Sequence, residues 1–134
     1  MSNDFLPIGS LVKAKIQFTH AETGESLEPQ TRPLLVLRDY GDGAVKVATI
    51  TSRIDKKHVE KYGHIMENSL DYGLTKKSAV LCTRANMGIL ARENLSEPFG
   101  RLPFEEVKQV LQKAEQLNKK EHGLAYKLKS ELER

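Results

Sequence analysis

Two apolar arms of similar length, joined by a short glycine-rich turn, constrain this chain more than any other feature. The first arm reads Arg32-Pro33-Leu34-Leu35-Val36-Leu37-Arg38-Asp39, and the second Ala44-Val45-Lys46-Val47-Ala48-Thr49-Ile50-Thr51-Ser52. Both are rich in aliphatic and β-branched residues, and Tyr40-Gly41-Asp42-Gly43 between them supplies residues that tolerate the positive φ of a tight reversal. The pattern predicts an antiparallel hairpin. A turn centred on Gly41 and Asp42 sets Arg32 opposite Thr51, whereas a centre displaced by one residue sets Ser52 there instead. Directly opposed side chains stand with Cβ atoms about 4.5–5.5 Å apart. A guanidinium and a hydroxyl at that separation can grip one phosphate.

The other segments predict what surrounds the hairpin. Gly9 to Phe18 alternates Leu11 or Val12, Ala14, Ile16 and Phe18 with polar residues, which predicts a first strand with one wet face. His20 to Thr31 is polar and turn-rich, a loop that delivers the chain to Arg32. His58 to Met66 fits a short helix or a turn, and Asp71-Tyr72-Gly73-Leu74 a chain return. Strands are expected at Ser78 to Arg84 and at Met87 to Leu90. From Pro103 the period becomes helical: Phe104, Val107, Val110, Leu111, Ala114 and Leu117 form one stripe, with Glu105 and Glu106 where the helix dipole favours anions. The fold class is therefore mainly β with a C-terminal helix, a small bent sheet or barrel. Residues 1–117 form one domain, and 118–134 is a helical extension in which Gly123 breaks or bends the helix before Leu124, Leu128 and Leu132.

A length of 134 residues suits a single core. The sequence contains no long apolar run and no secretory leader pattern, so a cytoplasmic protein without a membrane segment is expected. The single Cys82 lies in the apolar run Ser78-Ala79-Val80-Leu81-Cys82, where a buried thiol is expected over a nucleophile. A net charge of +3 permits nucleic-acid binding without arguing for it. The local pattern says more, because Arg53, Lys56, Lys57, His58 and Lys61 directly follow the Thr51 end of the hairpin. His20, His58, His64 and His122 are scattered without metal-ligand spacing, so no metal and no cofactor is expected.

In order along the chain, Gly9-Ser10-Leu11-Val12, Arg32-Pro33-Leu34-Leu35-Val36-Leu37, Val47-Ala48-Thr49-Ile50-Thr51-Ser52, Lys77-Ser78-Ala79-Val80-Leu81 and Gly100-Arg101-Leu102 resemble the MazF/PemK-like toxins of bacterial toxin–antitoxin pairs. The resemblance spans about residues 8 to 117. It implies an SH3-like barrel that forms a homodimer, cuts single-stranded RNA, mRNA included, without a metal, and is blocked by a cognate antitoxin. It also assigns the essential arginine to Arg32 and the catalytic hydroxyl to Thr51, with Ser52 adjacent. Substrate contacts are then expected from Glu28 and Gln30 before the hairpin and from Arg53, Lys56, Lys57 and His58 after it. The acidic residue that many relatives carry five places before the arginine has no direct counterpart, since Leu27 stands there and Glu28 follows it.

The residue types suit the chemistry. RNA carries its own nucleophile in the 2′-hydroxyl, so a protein that cuts it must stabilise charge at phosphorus and manage two proton transfers. Arg32 offers a planar, permanently charged fork of donors for phosphate oxygens, and a threonine adds a neutral donor. A guanidinium with a pKa above about 12 is a poor base, so Glu28, His58 and His64 are the candidates for proton removal. The alternative reading is a non-catalytic toxin on the same barrel, resembling the gyrase poisons, which act through C-terminal contacts.

Overall fold

The computed structural model describes residues 5–16 and 30–117. Glu28, the expected loop before the hairpin and the C-terminal extension lie outside the described residues. The strands are β1 (Ser10–Ile16), β2 (Gln30–Asp39), β3 (Ala44–Thr51), β4 (Gly63–Met66), β5 (Ser78–Leu81), β6 (Met87–Ala91) and β7 (Gly100–Arg101). A short helix α1 (Lys57–Tyr62) precedes β4, and a longer helix α2 covers 104–117. The sheet runs β4-β5-β3-β2-β1-β7, and β6 also pairs with β3. The first half of β3 pairs with β6, and its last residues with β5. One strand thus serves two neighbours in succession, which curls the sheet into a half-barrel.

Both faces of the central strands are covered. On one face, Leu11, Leu35, Leu37, Ala48, Ile50 and Val80 pack with Val107, Val110 and Ala114 of α2. On the other, Leu6, Val12, Ala14, Leu34, Val36, Val45 and Val47 form a second cluster. This is why β2 reads as an unbroken aliphatic run, as strands buried on both sides do. It also corrects the expected wet face of β1: Leu11 and Val12 are both buried, and alternation begins only at Lys13. A third cluster joins Val59 of α1 to Ala79 and Leu81 of β5, with Ile54 and Ile65 against it.

Other boundaries shift for local reasons. Helix α1 ends at Tyr62, and the expected helix or turn continues as β4 through Met66, paired to β5 from Gly63–Leu81 to Met66–Ser78. Strand β5 stops at Leu81, and Arg84 lies in a 3-10 turn, Arg84–Asn86. The return is a 3-10 turn, Ser69–Tyr72, closed by Gly73 at φ 110°. The stripe on α2 is partly misassigned, since Phe104 is 74% exposed and Leu111 44% exposed. Cys82 is buried, donates weakly to Val80 O at 3.4 Å, and burial pushes its thiol pKa up to about 11. A protonated buried thiol is a packing group.

Polar side chains fasten α2 to the sheet. His64 Nε2 and Glu106 Oε2 are 2.6 Å apart, Tyr72 OH donates to Glu106 Oε1 at 3.0 Å, and Lys113 Nζ donates to Gly63 O at 2.6 Å. Burial, and then the Glu106 carboxylate, raise the Tyr72 pKa, so the phenol stays a donor. No helix among the described residues is long and apolar enough to cross a membrane.

Candidate functional site at the open end of the hairpin

The turn and the register decide which hydroxyl accompanies Arg32. Tyr40 N donates to Ala44 O at 3.0 Å, and Gly41 and Gly43 take φ of 81° and 94°, so the turn is centred on Asp42 and not between Gly41 and Asp42. Next to the turn, Asp39 faces Val45 and Arg38 faces Lys46. Continued unchanged, that register would carry Ser52 to Arg32. An irregularity between Val36 and Arg38 shifts it by one residue, after which Val36 faces Val47, Leu35 faces Ala48 and Leu34 faces Thr49. A β-bulge inserts one residue on one strand in this way. The displaced turn and the bulge offset each other, and the register beyond the bulge is the one that phases Arg32 with Thr51.

Since side chains alternate along a strand, Arg32 shares the face of Leu34, and Thr51 the face of Thr49. These faces coincide, because Leu34 and Thr49 are opposed. On the far side of β2, Ala14 lies opposite Arg32, and beyond β3, Ala79 lies opposite Thr51. Arg32 and Thr51 therefore share a row with small neighbours on both flanks. The β2–β3 ladder ends at Leu34–Thr49, and the last residues of β3, Ile50 and Thr51, pair with β5 instead.

Thr51 is half-buried, and its Oγ1 accepts a hydrogen bond from Arg53 N at 3.2 Å. A hydroxyl has one donor and two acceptor sites, so this contact orients the oxygen and uses none of its donating capacity. Ser52 is exposed, one residue past the end of β3 and outside the row. The backbone continues as Lys56 N to Arg53 O at 3.4 Å and Glu60 N to Lys56 O at 3.1 Å, which ties α1 to the Thr51 end. Val59 plants α1 against Ala79, the residue paired with Thr51, while Arg53, Lys56, Lys57, His58 and Lys61 are exposed. The basic run of the sequence is thus fixed beside the row by one buried valine.

Arg32 is half-buried, and its Nη2 donates to Gln30 Oε1 at 2.5 Å. His64 stands apart from this group. It pairs with Val80, whose side chain is in the α2 core, whereas Thr51 pairs with Ala79 on the reverse face. Its ring is hydrogen-bonded to Glu106 there, so it serves the helix seam. Thr49, half-buried in the same row, is a neighbour that the sequence pattern does not single out. Its only signal is the two-residue spacing from Thr51.

A mainly β half-barrel with one closing helix, and an arginine and a threonine in phase at the open end of its central hairpin, define a class of small toxin folds. The solved structures place the chain within that class at the level of fold. It superposes on the MazE–MazF complex (Form-II) from Deinococcus radiodurans with a TM-score of 0.58, at 22% identity over 85% of this chain and 96% of that one. The Mycobacterium tuberculosis toxin MazF-mt6 gives 0.55 at 19% identity, over 67% and 88% of the two chains. A mycobacterial endoribonuclease in complex with its cognate antitoxin gives 0.54 at 14% identity, over 87% and 97%. The protein has the MazF-like toxin fold. No protein-family model and no curated protein sequence matches it.

Proposed function

We propose that this protein is the toxin of a toxin–antitoxin pair and an endoribonuclease that cuts single-stranded RNA, mRNA included, without a metal ion. The observation that carries the reading is the register that phases Arg32 with Thr51 on one face of a MazF-like fold. The 2′-oxygen attacks phosphorus and gives up its proton, the bond from phosphorus to the 5′-oxygen breaks, and that oxygen takes a proton. The products are a 2′,3′-cyclic phosphate and a 5′-hydroxyl. Arg32 stabilises the charge that builds on the phosphate oxygens, and the Thr51 hydroxyl donates to the same group. A permanently charged guanidinium cannot take the 2′ proton, so Arg32 serves the phosphate and the leaving oxygen. With His64 committed to Glu106 on the other face, His58 and Glu28 are the residues to test as the base.

Arg53, Lys56, Lys57 and His58 on and before α1 track the adjoining phosphates, giving electrostatic affinity that weakens with salt. The protein acts in the cytoplasm as a homodimer and is held inactive by a cognate antitoxin. Two of the structural neighbours are complexes of that kind, a MazE–MazF assembly and an endoribonuclease with its antitoxin. The test is incubation of purified, antitoxin-free protein with mixed RNA in excess chelator, followed by analysis of the new ends. Cyclic phosphate and 5′-hydroxyl ends are expected. Intact RNA in the presence of folded protein contradicts the reading and favours a non-catalytic toxin on the same fold.

A further inference from the structure

Gln30 is positioned for a role different from substrate contact. It is the first residue of β2, exposed, and two residues before Arg32 on the same strand face. Its amide oxygen accepts from Arg32 Nη2 at 2.5 Å, so its acceptor is turned along the strand toward the guanidinium. Rotation about the outer bonds of an arginine is cheap in solution, and a long side chain loses rotamer entropy whenever it is held. A neighbour that accepts from one Nη restricts that rotation before any ligand arrives. Preorganised donors stabilise developing charge without reorganising during the reaction, and small errors in placement are costly.

We propose that Gln30 is a positioning residue that sets the orientation of the Arg32 guanidinium. The inference rests on the proposed phosphate role of Arg32 for its catalytic consequence, whereas the tether itself can be measured without RNA. Gln30→Ala removes the acceptor, and Gln30→Glu keeps an oxygen in place with a charge that strengthens the contact. Both changes are at an exposed strand end, where the fold tolerates substitution.

The experiment compares the Arg32 side-chain N–H signals of the full chain by nitrogen-15 NMR in the wild type, Gln30→Ala and Gln30→Glu. The same three proteins are then assayed for kcat and KM on RNA. Restricted guanidinium rotation is expected in the wild type and in Gln30→Glu, and averaging in Gln30→Ala. In parallel, kcat should fall about 10-fold or more in Gln30→Ala, with KM nearly unchanged and Gln30→Glu restoring most of the loss. Unchanged Arg32 signals in Gln30→Ala overturn the proposal. So does a loss confined to KM, which would make Gln30 a substrate contact, or an altered rotation with no change in kcat. If the wild type leaves RNA intact while the Arg32 signals shift as expected, the tether stands and the endoribonuclease reading is what fails.

Discussion

The two ends of one hairpin use polar groups in opposite ways. At the turn end, Asp39 accepts from Leu6 N at 2.8 Å and Gly41 N at 2.9 Å, and Arg92 Nη1 lies 3.3 Å from its Oδ2. Its side chain is 2% exposed, and the ring of Phe5 covers Gly41 so closely that a Cβ there would clash. The Leu6 N–H above all, then Gly41 N–H and Arg92, hold the carboxyl pKa below its ordinary value against the opposing cost of burial. At the open end, Thr51 and Arg32 are half-buried and oriented by light local contacts, Arg53 N and Gln30. Polar groups at the turn end are committed to the fold, and those at the open end are presented to a ligand. The difference is chemical commitment, since both ends belong to the same pair of strands.

Substitutions at the two ends should therefore separate activity from stability. Arg32→Ala is expected to lower RNA cleavage by at least about 10²–10³-fold, or roughly 2.7–4 kcal/mol, with an unchanged urea midpoint. Thr51→Val keeps the β-branched shape and removes the donor, so a loss approaching about 10²-fold in kcat is expected, whereas Ser52→Ala should cut nearly as the wild type does. An equal loss in Ser52→Ala would mean that the bulge does not set the working register.

Asp39→Asn should do the reverse, costing about 1–3 kcal/mol in urea unfolding while the folded enzyme keeps its kcat. Because folding lowers the Asp39 pKa from 3.8, its contribution is full above that value and is lost as pH falls through the lower folded pKa. Acid unfolding of the wild type should therefore steepen below pH 3.8, and that component should be absent from Asp39→Asn. The smallest effect belongs to α1. Lys56→Gln with Lys57→Gln should raise KM several-fold and flatten the slope of log KM against log salt by roughly 0.7 for each phosphate left without its lysine. A fall in kcat there would draw α1 into the chemistry.

Much of this was legible in the residues. The hairpin, the β6 strand, the start of the closing helix and the buried thiol follow from periodicity and turn chemistry, which are local properties. The phasing of Arg32 with Thr51 was legible too, although by a route the residues conceal: a turn centred on Asp42 and a bulge after Val36 each move the register by one. A bulge has no sharp sequence signal, so only the sum of the two shifts is visible from outside. Tertiary packing explains the rest. Leu11 and Val12 are both buried because β1 has a core on each face, and Phe104 and Leu111 sit outside because α2 contacts the sheet through Val107, Val110 and Ala114. Likewise, nothing local to His64 marks it as a partner of Glu106 across 42 residues.

The central claim is that Arg32 and Thr51 act together on one phosphate at the open end. Its most direct test is the cleavage rate of Arg32→Ala, Thr51→Val and the double variant on one RNA at saturating substrate. Groups that stabilise the same transition state are strongly non-additive. The double variant should accordingly lose about as much as the worse single one, with both singles folded. A double variant whose loss is the product of two independent losses, or a Thr51→Val protein with full activity, would contradict the account.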